Sequence, residues 1–210
     1  MNNYVIPFSG YPIYKVSVND LHTDDELNFI KSFKKKNIHS NITNNNGAKI
    51  SENSHILNFS ELHNIKELIL KNFNDYINNV LEIENQFYMC NSWCGIQNKN
   101  NFHPRHAHPN AIFSCVYYLQ SDNSSIIFTK DKSKIQEGFF FEYKIKKYNL
   151  YNSQEWNLPV KTGDMIFFPG ELHHQTEKYE GENERIIVAS SFFIKGQLGT
   201  SQSLNDINLG

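Results

Sequence analysis

The sequence predicts a mainly β domain, a sandwich or closed barrel, with helices buttressing one side. Helical periodicity is confined to the residues before Gln86, and from Gln86 onward the chain breaks into short β-rich runs separated by Asn, Gly, Pro or Asp. The 210 residues are 39% hydrophobic and 14% aromatic, enough apolar surface for one packed core.

Residues 11–19 (YPIYKVSVN) alternate and are rich in β-branched and aromatic side chains, the signature of a strand. Thr23-Asp24-Asp25-Glu26 then starts a helix, with Thr23 as N-cap, Glu26 at the capping-box position and acids in the first turn. That helix is expected to run to about Lys36, and the Asn/Ser/Gly-rich residues 38–54 to form a loop. From Ser60 to about Leu81, Leu62, Ile65, Leu68, Leu70, Phe73, Tyr76, Ile77 and Val80 recur near helical spacing, predicting a longer amphipathic helix laid on the core. The runs FYMCNSWCGIQ, AIFSCVYYLQ, SIIFTK, GFFFEYKIKKYNLY, WNLPVK, DMIFFP and RIIVASSFFIK read as strands. The small polar residues after Gly196 read as a frayed tail. The chain thus divides into an N-terminal strand with supporting helices (1–85), a β core (86–196) and a tail (197–210), within one structural domain.

A formal net charge of -2 gives no signal for nucleic acid. The lysine run Lys31–Lys36 (KSFKKK) reads as the solvated face of the first helix. No basic-then-apolar leader opens the chain, and no apolar run is long enough for a membrane span. Cys90, Cys94 and Cys115 are an odd count in strand-like segments, which argues for a reducing compartment, with the cytoplasm as the expectation. Oligomeric state is not legible.

The residues suited to chemistry fall in two places. In His103-Pro-Arg-His106-Ala-His108-Pro-Asn110, the histidines at 106 and 108 share a face of an extended chain, which brings two imidazoles to one metal. His103 is offset by three and would sit behind the site or at the surface. Much later, Gly163-Asp164 opens a buried apolar strand that breaks at Pro169-Gly170 and leads to His173-His174, a source of a third imidazole. Arg185 heads the apolar run RIIVASSFF. An arginine there is costly to bury without an anion, either Glu182 or Glu184 in a salt bridge or a ligand carboxylate held bidentately. Cys90-x₃-Cys94 with nearby histidines offers a zinc alternative, against the simpler reading of two buried thiols.

Taken in order, HxH, a buried Tyr-Tyr-Leu strand, GD…FP…H and Arg resemble the iron/2-oxoglutarate oxygenases. The likeness is to the group with HxHPN…YYL…GD…FP…H…R found in bacteria and marine phages, and it covers roughly Trp93 to Phe193. It implies a double-stranded β-helix (jelly roll) with Fe(II) and 2-oxoglutarate as cofactors. It makes His106 and His174 iron ligands, puts Arg185 on the C5 carboxylate of 2-oxoglutarate, and gives Tyr118 a share in holding that carboxylate, the alternative being a packed strand aromatic. Where the wider family carries an acid, this chain has His108, which the resemblance to the HxH group makes the third iron ligand, the alternative being water in that position. His173 is the alternative to His174 as distal ligand.

The reaction implied is hydroxylation of a small-molecule or peptidyl substrate by O₂, with release of succinate and CO₂. The substrate itself is not legible. Arg105, Asn110, Trp156 and the insert around residues 130–155 are candidates for its side of the site. Two other readings stand beside this one: a cupin-type metalloenzyme without 2-oxoglutarate, and a non-catalytic β-sandwich binding module.

Overall fold

The computed structural model describes residues 2–8, 10–19, 22–38, 47–122, 124–130, 144–149 and 152–210. The chain opens with a hairpin of β1 (Asn2–Phe8) and β2 (Tyr11–Ser17), so the expected strand has an additional partner before it. Helix α1 (Asp24–Ser32) begins as the sequence predicts. Thr23 Oγ1 accepts from the Glu26 N–H at 3.2 Å, and Glu26 Oε2 accepts from the Thr23 N–H at 2.8 Å.

Its end is a correction. The helix stops at Ser32 and Phe33 turns to extended backbone, packing edge-on to Phe29 and at a steep tilt to Phe59 at centroid distances of 5.2 and 5.4 Å. Lys35–Asn37 becomes β3, which pairs with β4 (Lys49–Ser51) inside the expected loop, and β4 pairs with β5. Sheet hydrogen bonds and the aromatic cluster outweigh the good helix propensity of the lysine run. Lys35 and Lys36 therefore lie on a sheet edge rather than on a helix face, while Lys31 stays in the last turn of α1.

Helix α2 (His63–Asp75) continues through one π-helical turn over Tyr76–Val80. It buries Ile65, Ile69 and Phe73, with Tyr76 and Ile77 following in the π turn.

The remaining strands are β5 (Gln86–Gln97), β6 (Phe113–Gln120), β7 (Ser124–Thr129), β8 (Glu155–Val160), β9 (Asp164–Pro169), β10 (His174–Gln175), β11 (Arg185–Leu198) and β12 (Ile207–Leu209). A nine-stranded sheet runs in the order β1-β2-β9-β6-β11-β5-β4-β3, with β12 returning onto β11, and a smaller sheet runs β10-β7-β8. The return of β12 replaces the expected frayed tail: Gly196 at φ 86 and Gly199 at φ 69 let the chain turn back. Of the expected strand at 138–151, residues 138–143, 150 and 151 lie outside the described residues, and 144–149 form no strand.

The two sheets make the double-stranded β-helix. Because side chains alternate across a strand, the large sheet has two buried faces. Cys94, Cys115, Tyr117, Met165, Phe167, Val188 and Phe192 join the helices in one core, while Val116, Tyr118, Ile166, Phe168 and Ala189 meet Ile126, Phe128 and Leu158 of the small sheet in a second. Lys15 and Asp164 form a buried pair at 2.8 Å, completed by Ser17 Oγ donating to Asp164 and Lys15 Nζ donating to the Pro159 carbonyl.

Candidate metal centre

The segment carrying His106 and His108 joins β5 to β6 and docks on the edge of the small sheet. His106 and His174 exchange backbone hydrogen bonds at 3.0 and 2.9 Å, and Thr176 N donates to the His103 carbonyl at 3.0 Å. A second clamp lies at Gly170, whose carbonyl accepts from His108 N at 2.8 Å and whose N–H donates to Ile112 O at 2.9 Å. A Cβ on Gly170 would run into the Ala111 carbonyl, so the Pro-Gly break fixes the two histidine segments side by side.

This docking gathers His106, His108 and His174, whose nearest ligand atoms all lie within 4.8 Å of one another. His106 Nδ1 lies 2.9 Å from the Pro104 carbonyl and His174 Nδ1 lies 3.0 Å from the Leu172 carbonyl. A carbonyl can only accept, so each ring carries its proton on Nδ1 and presents an Nε2 lone pair. His108 Nδ1 lies 2.6 Å from Ser114 Oγ, and its Nε2 is 3.3 Å from His106 Nε2.

Burial, and then the neighbouring His106, push the His108 imidazole down to about 3. His174 is held well below the ordinary histidine range by burial first and by His106 and His108 next. At His108 and His174 this leaves neutral imidazoles, the form a divalent metal binds. Among the described residues, no other group of three His, Cys, Asp or Glu side chains comes together in this way.

His173 falls on the other side. It lines a second cleft with Tyr11, His108, Pro109, Asn110 and Glu171, and its carbonyl accepts from Thr129 N at 2.9 Å. His103 stacks on the His106 ring at 3.9 Å without joining the cluster. Arg105 is exposed and, with Trp156, lines another cleft. The thiols of Cys90 and Cys94 point to backbone carbonyls of Ser191 and Ile30, and no histidine joins them.

The histidines open into a cavity of about 60 Å³, whose lining also holds Trp93, Gln97, Tyr118 and Arg185. Arg185 is 3% exposed and its guanidinium carbon sits 5.0 Å from the centre of the Tyr118 ring. It forms no ion pair among the described residues, and Glu182 pairs instead with Lys99 at 2.6 Å. Arg185 Nε is buried and has no hydrogen-bond partner there. Tyr118 is fully buried, its phenol pushed up by burial against the lowering influence of Arg185. A buried guanidinium without an acid fits a ligand carboxylate, and three imidazoles fit iron.

Sequence reasoning did not find Ser114, Trp93, Gln97 or Thr176. Trp93 packs edge-on to His108 at 5.3 Å, and Gln97 donates to Thr176 Oγ1 at 2.9 Å. For Trp93 and Gln97 a signal existed: their spacing of four on a strand puts both on the barrel face.

Fold and site together define a double-stranded β-helix protein with a histidine cluster of metal-binding type. Residues 91–191 match the sequence model of a family described as "Putative 2OG-Fe(II) oxygenase", and this segment carries His106, His108, His174 and Arg185. No curated protein matched the chain. Among solved structures, an oxidoreductase of the 2OG-Fe(II) oxygenase family from Burkholderia pseudomallei is similar at TM-score 0.55 and 10% identity, over 85% of this chain and 83% of that one. The non-heme alpha-ketoglutarate-dependent epimerase SnoN from nogalamycin biosynthesis is similar at 0.60 and 8%, over 86% and 77%. HygX from Streptomyces hygroscopicus, solved with nickel and 2-oxoglutarate bound, is similar at 0.55 and 10%, over 86% and 82%. At these identities the likeness is one of fold.

Proposed function

We propose that the chain is an Fe(II)- and 2-oxoglutarate-dependent oxygenase that hydroxylates its substrate, a small molecule or a peptidyl side chain. In this reading His106, His108 and His174 hold the iron, while Arg185, backed by Tyr118, holds the C5 carboxylate of 2-oxoglutarate. One observation carries it: a cluster of neutral imidazoles and a buried arginine without an acidic partner line the same cavity. When bound, iron and the keto acid supply the oxidising chemistry, in which O₂ is consumed, 2-oxoglutarate becomes succinate and CO₂, and one oxygen atom goes to the substrate.

The chain's own residues do the rest. Backbone carbonyls of Pro104 and Leu172 hold two imidazoles in the tautomer that offers Nε2. Arg185 supplies a fixed positive charge in a site largely shielded from water, where a charge-assisted bond to a carboxylate is strong and directional. Val116, Ile126, Ile187 and Ala189 give the cavity apolar walls that limit the access of water.

The test is an anaerobic titration of the metal-free protein with Fe(II) and 2-oxoglutarate, following the visible metal-to-ligand charge-transfer band. The band should form in the wild type and vanish in His106→Ala and His174→Ala. Arg185→Ala should weaken 2-oxoglutarate binding by about 2 kcal/mol, roughly 30-fold. Iron binding that 2-oxoglutarate leaves unchanged would favour a cupin-type metalloenzyme, and no metal binding would end the proposal.

A further inference from the structure

Resting on that reading of the metal centre, we propose that Ser114 is a positioning residue that makes His108 the third metal ligand, in place of the family's acid. His106 and His174 each face a carbonyl, which leaves them one tautomer, with Nε2 unprotonated. His108 differs, because its Nδ1 meets a hydroxyl at 2.6 Å, a group that can both give and accept a hydrogen bond.

Its other nitrogen lies 3.3 Å from His106 Nε2. To hold a metal, His108 must present its Nε2 lone pair, so its ring proton must sit on Nδ1, where the Ser114 hydroxyl accepts from it. An apolar side chain in place of Ser114 would leave that N–H without an acceptor.

Ser114 is well placed for this. It is fully buried on β6, between Phe168 of β9 and Ser191 of β11, and so cannot drift away from the ring. Edge-on packing of Trp93 against His108 at 5.3 Å closes another side. His108 is therefore the adjustable member of the three, and Ser114 sets both its tilt and its tautomer. Removing the hydroxyl leaves a metal-polarised Nδ1–H without an acceptor, which weakens the bound state more than the free one.

Co(II) titration of the metal-free protein, read by its visible d–d absorption, tests this with Ser114→Ala, His108→Ala and the double variant. Thermal melts without metal report whether each variant folds. Ser114→Ala should lose about 10- to 100-fold in Co(II) affinity with a changed band shape, and should cost nothing further in the His108→Ala background. Unchanged affinity in Ser114→Ala overturns the inference, as does an equal extra loss in that background, which would mark a general packing effect. If His108→Ala binds Co(II) as tightly as the wild type, His108 is no ligand and the inference falls, while a two-histidine centre survives. Failure of the wild type to bind Co(II) would instead bring down the metal centre itself.

Discussion

The two faces of the large sheet share the same strands and do opposite work. Toward the helices, Phe73 lies flat on Phe192 at 3.6 Å, and Phe87, Phe113, Phe167, Tyr14 and Tyr76 surround them in a dry aromatic core. Toward the small sheet, the same strands present Ser114, Trp93, Gln97, Tyr118 and Arg185 around the histidine cluster. Moving one residue along a strand moves a side chain from one regime to the other. The teaching is a division of labour at period two: polar groups that would be costly in a closed core are tolerated where they line a ligand cavity.

The largest expected break in that comparison is on the helix face. Phe73→Ala should destabilise the fold by about 3–5 kcal/mol through the cavity it leaves, read by urea unfolding. Co(II) affinity of the protein that remains folded should stay at the wild-type value, and a parallel loss of affinity would mean the faces are coupled. A smaller effect is expected on the barrel face. His108 and His174 are held neutral in the folded protein, below the ordinary value of 6.5, whereas the unfolded chain takes up protons there. The unfolded state thus binds more protons as pH falls, so the metal-free protein should lose stability from about pH 6.5 down toward 3. His108→Asn with His174→Asn should flatten that decline in urea midpoints, and an unchanged slope would place its origin elsewhere. The smallest effect returns to the helices. Thr23→Ala removes the α1 cap and should cost about 1 kcal/mol in thermal or urea unfolding, leaving Co(II) affinity alone.

How much of this the sequence discloses depends on the range of the interaction involved. The cap at Thr23 and the start of α1 are legible because both partners of the capping box lie within one turn. The stripe of α2 is legible because its burial repeats locally. His106 and His108 stand out because a spacing of two puts both imidazoles on one face of an extended chain, and Arg185 because an arginine heading an apolar strand is costly to bury. The end of α1 is not legible, since Phe59 and β4 that stop it are distant in the chain. Nor are the Pro104 and Leu172 carbonyls, which are backbone atoms and leave no mark on residue type. Ser114 hides for another reason: a serine in a strand reads as filler until the imidazole it meets is known. Spacing alone leaves His173 and His174 open, and it is the backbone pairing of His174 with His106 that brings the His174 ring to the cluster and leaves His173 in the adjoining cleft that His108 also lines.

The lysine run has a consequence of its own. β3 is three residues long, terminates the large sheet and carries Lys35 and Lys36. Lys34 beside it reaches Glu52 at 3.1 Å, and Lys35 Nζ donates to the carbonyls of Lys31 and Phe33. An exposed strand border is an invitation for another molecule to add its own strand. So short a border, studded with ammonium groups that would have to shed water and approach their counterparts on a neighbour, withdraws that invitation. The run that reads in the sequence as a solvated helix face is in part a charged sheet border, a feature that disfavours strand addition by a second molecule.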